Sequence, residues 1–125
     1  MRVLIVESNP DLGELWQRHL HRQGAEGGRA AAEDDAIALL QQADWQVIVL
    51  DLVLDQGSAF AVADFASYRV PDAKVIFVTN TRFFSDGSIF GLCSNACAYI
   101  QSATPPEDLA AMVEHYGSTP PSPPP

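Results

Sequence analysis

Basic residues are scarce in this chain: 7 Lys and Arg stand against 16 Asp and Glu in 125 residues, a formal charge of −9. That balance excludes non-specific attraction to nucleic acid or to anionic lipid, because both are polyanions. Cysteine is nearly absent too, and Cys93 with Cys97 cannot build a disulfide scaffold. No apolar run approaches the ~20 residues that span a bilayer. The opening Met1-Arg2-Val3-Leu4-Ile5-Val6 runs directly into Glu7, without the long apolar core of a signal peptide. A cytoplasmic protein with no membrane segment is the expectation. What the chain does have is 47% hydrophobic residues, enough at this length for one domain with a single core.

The most informative stretch is Val47-Ile48-Val49-Leu50, followed by Asp51. Four apolar residues in a row, three of them β-branched, read as a strand buried on both faces, since a half-exposed strand would alternate with polar side chains. Asp51 ends the strand, at the place where open α/β sheets carry ligands and chemistry. Gly57-Ser58 then turns the chain, and Ser58 suits the cap of a following helix. Val3 to Val6 form an earlier strand, after which Asn9, Pro10 and Asp11 combine a cap, a fixed φ and a favourable dipole to start a helix. Leu12, Leu15, Trp16, His19 and Leu20 recur at helical spacing, and Gly24 stops the run. Ala25 to Ala30 holds Gly27-Gly28 and little β propensity, so an edge strand is expected there only because the pattern needs one. Glu33, Asp34 and Asp35 suit the positive end of a second helix through Leu40. A third helix runs from Phe60 to before Pro71, and Lys74 to Val78 form another apolar strand ending at Thr79. A short helix is expected from near Ser85-Asp86, then a strand at Ala98-Tyr99-Ile100. Thr104-Pro105-Pro106-Glu107 reads as a capping box for a last helix that Gly117 ends. The expected domain is residues 1–116, with 117–125 a disordered Pro-rich tail. Strands separated by helices imply parallel pairing and right-handed crossovers, hence a flavodoxin-like, doubly wound (βα)5 fold: α/β, with a five-stranded parallel sheet in the order 2-1-3-4-5.

The Asp51 segment resembles the phosphoacceptor region of bacterial response-regulator receiver domains, matching at Asp51, Leu52, Leu54, Gly57, Ser58 and Phe60 and departing at Asp55, Gln56 and Ala59. The resemblance implies a signalling module of two-component systems rather than an enzyme, and it assigns roles along residues 1 to 116. Asp51 matches the phosphoacceptor, Thr79 the switch hydroxyl and Tyr99 the switch aromatic. Glu7, Asp51 and the backbone carbonyl of Val53 would hold Mg²⁺. Ser8, however, stands where the family has a second carboxylate and direct metal ligand, so the Mg²⁺ seat is expected to be weakened. Ser102 stands where the family has its charge-balancing Lys. Lys74 is expected at the opposite end of the sheet, so it cannot substitute. Arg82 lies on the correct side and offers a guanidinium for phosphate. Asn80 replaces a small residue and would fill the phosphoryl pocket. Asp55 reads as a solvated loop carboxylate.

Other signals have plainer readings. Cys93 and Cys97 read as small buried side chains, and His19 and His21 as helix-surface residues. Arg82-Phe83-Phe84 divides between packing and a partner-binding patch. The resemblance implies contact with a histidine kinase or other signalling protein, and a homodimer or output contact through the face made by the last two helices and the strand between them. The leading expectation is a stand-alone atypical receiver acting through protein contacts, with phosphorylation weak or lost. The alternative is a working Mg²⁺-dependent phosphoacceptor for a histidine kinase. A flavodoxin-like small-molecule binder is disfavoured, because no Gly-rich phosphate loop follows the first strand.

Overall fold

A computed structural model describes residues 1–79 and 96–118. The elements are β1 (Arg2–Val6), α1 (Pro10–Arg22), β2 (Glu26–Ala30), α2 (Glu33–Gln42), β3 (Val47–Asp51), α3 (Ala59–Arg69), β4 (Lys74–Thr79), β5 (Ala96–Gln101) and α4 (Pro106–Ser118). The strands form one five-stranded parallel sheet in the order β2-β1-β3-β4-β5, as expected. The expected helix near Ser85-Asp86, the residues Asn80, Arg82, Phe83, Phe84 and Cys93, and the chain beyond 118 lie outside the described residues.

Each apolar run divides between two cores because successive side chains leave opposite faces of a strand. Leu4, Val6, Ile48, Leu50, Val75 and Phe77 meet Leu40, Val62, Ala63 and Ala66 on the side of α2 and α3. Val3, Ile5, Val47, Val49, Ile76 and Val78 meet Trp16, Leu20, Leu109 and Val113 on the side of α1 and α4. Both faces are covered, which is why these strands read as solid apolar runs rather than alternating ones.

The weakest strand in sequence terms, Glu26-Gly27-Gly28-Arg29-Ala30, is nevertheless paired with β1 along its length. Its glycines are explained by what lies on them. A Cβ at Gly28 would run into the Trp45 ring, whose Nε1 donates to the Leu39 carbonyl at 2.9 Å. On the strand's other side Gln17 donates to the Gly27 carbonyl at 2.8 Å. Tertiary packing here overrides β propensity.

The helix starts follow local chemistry. Asn9 Oδ1 accepts from the amides of Asp11 (3.0 Å) and Leu12 (3.4 Å), and Ser58 Oγ from that of Ala61 (3.4 Å). The last helix differs from expectation at both ends. It begins at Pro106, with the Pro105 carbonyl accepting from Asp108 (2.9 Å) and Leu109 (3.2 Å), so Thr104 precedes the cap instead of forming it. It also continues through Gly117, which lies against Met1. Glycine weakens a helix by about 1 kcal/mol but does not forbid it.

Candidate functional site

The strand registers gather the predicted residues at the carboxyl edge of the sheet. Val6 is paired with Leu50, so Glu7 and Asp51 follow side by side. Asp51 is paired with Val78 and Thr79 with Gln101, which places Ser102 next to Thr79. The Ser102 amide donates to the Thr79 carbonyl at 2.9 Å, and the Leu52 amide to the Val78 carbonyl at 2.9 Å. Lys74 is paired with Val47, at the opposite end, as expected. Tyr99 is paired with Phe77 and packs, half-buried, against the α2–α3 core. Five of the residues singled out, Glu7, Ser8, Asp51, Thr79 and Ser102, thus share one edge, with Tyr99 two residues back along β5.

Glu7 and Asp51 continue the residue sets Val3-Ile5 and Val47-Val49, so both side chains leave toward α1 and α4. Glu7 is buried, at 5% exposure. Its Oε1 accepts from the Asn9 amide at 3.1 Å, whereas its buried Oε2 has no donor facing it. Burial first, then its hydrogen bond with Asp51 and the charges of Asp51 and Asp55, push the Glu7 carboxyl up from 4.5 to about 8. A carboxyl raised that far favours its neutral form at neutral pH. Asp51 is further held by its own loop, since its Oδ1 accepts from the Val53 amide at 2.8 Å. The Val53 side chain is 62% exposed, whereas Thr79 is buried.

Ser8 does something its sequence position did not suggest. Its hydroxyl donates to the Ala31 carbonyl at 2.8 Å and accepts from the Asp55 amide at 2.9 Å. The Asp55 backbone is therefore engaged at the edge of the site, while the residue itself is exposed and its charge acts on Glu7. Glu33, read from sequence only as a dipole-compatible acid, accepts from the Ser58 amide at 2.7 Å. No periodicity or cap signal reveals this, because the partners belong to different loops. His19 Nδ1 lies 3.0 Å from the Leu15 carbonyl of its own helix, and His21 is exposed, in keeping with helix-surface roles. Among the described residues, no group of three or more His, Cys, Asp or Glu gathers as a metal seat, and no helix is long and apolar enough to cross a membrane.

No protein-family model and no curated protein matches the sequence. Solved structures do. The chain is similar to a CheY-like response regulator receiver domain protein from Methanospirillum hungatei JF-1, with TM-score 0.83 and 24% identity over 93% of this chain and 92% of that one. It is similar to the receiver domain of NtrX from Brucella abortus, with TM-score 0.84 and 20% identity over 94% and 99%. It is also similar to the response regulator TrrA from Thermotoga maritima in complex with Mg²⁺ and BeF, with TM-score 0.78 and 21% identity over 92% and 97%. What these proteins share with the chain is the doubly wound fold and its strand order.

Proposed function

We propose, taking the response-regulator receiver fold as the premise, that this chain is an atypical receiver module that signals through protein contacts, with Asp51 phosphorylated weakly or not at all. The observation that carries this reading is Ser8. It stands where the resemblance implies a metal-binding carboxylate, and both hydrogen-bonding functions of its hydroxyl are used by Ala31 and Asp55. Glu7, Asp51 and the Val53 carbonyl remain as oxygen donors for Mg²⁺, and a proton on Glu7 competes with any cation there. Mg²⁺ requires near-octahedral oxygen ligands and is reluctant to dehydrate, so this donor set fits it poorly. Phosphoryl transfer is catalysed by positioning and by neutralising charge. At the β5 end Ser102 contributes a backbone amide to Thr79 and no positive charge. The chemistry that would make Asp51 a fast phosphoacceptor is therefore thin.

A specific observation favours the second reading, that of a working phosphoacceptor: Asp51 and Thr79 stand at adjacent strand ends in the relation the chemistry needs, and the similar Thermotoga maritima protein is described with Mg²⁺ and BeF. The deciding experiment is intact mass after incubation with a small phosphodonor and Mg²⁺, with Asp51→Ala as control. The expected result is no phosphoryl-sized gain, or a slow and partial one. A prompt, complete gain that disappears in Asp51→Ala would establish the second reading. The partner classes that fit a receiver are a histidine kinase or another signalling protein, and the proposed contact face includes β5 and α4. The proposed domain is residues 1–116, with the last helix running two residues past that bound, to Ser118.

A further inference from the structure

The loop from Leu52 to Ser58, between β3 and α3, carries the residues next to Asp51 and is held by three side chains from three other parts of the sequence or from its own base. Ser8, after β1, accepts from the Asp55 amide at 2.9 Å while donating to the Ala31 carbonyl at 2.8 Å, so it joins two loops to its own. Glu33, the first residue of α2, accepts from the Ser58 amide at 2.7 Å. The Glu33 amide in return donates to the Gln56 carbonyl at 3.3 Å. Asp51 Oδ1 holds the Val53 amide at 2.8 Å.

The Glu33 arrangement is a reciprocal bracket between two helix starts. Helix α2 has no side-chain cap at Ala32, and Gln56 supplies the acceptor for its first amide. Helix α3 has its N-cap amide satisfied by a carboxylate, which is the charge-assisted kind of hydrogen bond. Gly57 makes the approach feasible. Its φ is +91°, and a Cβ there would collide with the Glu33 side chain. Every one of these bonds runs directly between protein groups.

The geometry points to Ser8 and Glu33 as positioning residues that hold the 52–58 loop in one shape independently of metal. Ser8 thus takes over, by hydrogen bonding, the ordering of the edge that a metal-bound carboxylate would otherwise provide. This inference rests on the protein-contact reading for its significance, not for its geometry, and its test does not use phosphorylation.

The test is amide hydrogen exchange, resolved at Asp55 and Ser58, on the whole chain in EDTA and again with Mg²⁺. The native chain is expected to protect both amides in EDTA, with no further protection on adding Mg²⁺. Ser8→Ala should speed exchange at Asp55 by about tenfold, and Glu33→Ala should do the same at Ser58. Ser8→Thr and Glu33→Gln keep the acceptor oxygen and should retain protection. Amides of Ile48 and Phe77 report global unfolding in any variant, and if a variant unfolds, the native EDTA and Mg²⁺ comparison decides alone. Unprotected Asp55 and Ser58 amides in EDTA, or protection that appears only with Mg²⁺, would overturn the proposal. A phosphoryl gain at Asp51 with both amides protected in EDTA would sink the proposed function and leave the positioning roles standing.

Discussion

The two edges of the sheet handle charge in opposite ways. At the amino edge, Arg2 pairs with Glu26 at 3.3 Å, and Arg69 with Asp44 at 3.4 Å, both in water. Lys74 opens β4 at this same edge. At the carboxyl edge, Glu7 is buried beside Asp51, and burial and the Asp51 charge push its carboxyl up to about 8. An acidic protein with few cations has placed them where solvent already screens charge. Near the carboxyl edge Arg29 donates to the Pro10 carbonyl at 3.2 Å, and burial there makes charge expensive. The lesson concerns function: a carboxylate at a strand end becomes a phosphoryl acceptor only if something nearby balances the charge that arrives.

The strongest way to break this contrast is to supply that balance. Ser8→Asp combined with Ser102→Lys should raise the initial rate of Asp51 phosphorylation roughly 100-fold over the native chain, the scale associated with one preorganised charge-stabilising group. Intact mass against time, with Mg²⁺ and a small phosphodonor, measures it. Equal rates for the two proteins would mean that the carboxyl edge is limited by something other than its charges.

The second test uses pH. The folded Glu7 carboxyl titrates near 8 against 4.5 when unfolded, so between those values the native state binds the extra proton. Stability should therefore fall as pH rises from about 5 to 8 and level off above about 9, by up to about 3–4 kcal/mol. Glu7→Gln keeps a donor for Asp51 at every pH and should flatten the profile. Urea midpoints at pH 5, 6.5 and 8 for the two proteins check the sign, and a native chain that gained stability over this window would refute the raised Glu7 carboxyl.

Smaller effects sharpen the same comparison. Glu33→Ala should cost about 1 kcal/mol in urea unfolding and Glu33→Gln much less, because the amide oxygen still accepts from Ser58. Arg2→Ala or Arg69→Ala at the amino edge should change stability by less than ~0.5 kcal/mol, as exposed pairs do. A larger loss there, insensitive to added salt, would show that these pairs are not the weakly coupled surface contacts their exposure implies.

Much of the fold was legible because its signals are local or periodic. The runs at Val3, Val47 and Lys74 announce strands covered on both faces, and Asn9-Pro10-Asp11 announces a helix start. Strand β2 was legible only as a connection. Gly28 accommodates Trp45, 17 positions away in sequence, and Gly27 lies against Gln17; no propensity scale contains that. The capping box at Thr104 misled for a related reason: the chain starts the helix one residue later, on the Pro105 carbonyl.

The candidate site divides along the same line. Sequence alone determined that Glu7, Asp51, Thr79 and Ser102 would share one edge, because a parallel sheet with crossover helices brings every strand's carboxyl end to the same side. It also determined that the edge would lack a lysine at Ser102. Only the tertiary structure decided what Ser8 and Glu33 do, since their partners Asp55 and Ser58 lie 47 and 25 residues away along the chain. Only burial, with the neighbouring Asp51 and Asp55, decided that the Glu7 carboxyl is raised. Hydrogen bonds between loops and the desolvation of a carboxyl depend on distances across the fold, and a linear pattern of residue types does not contain those distances.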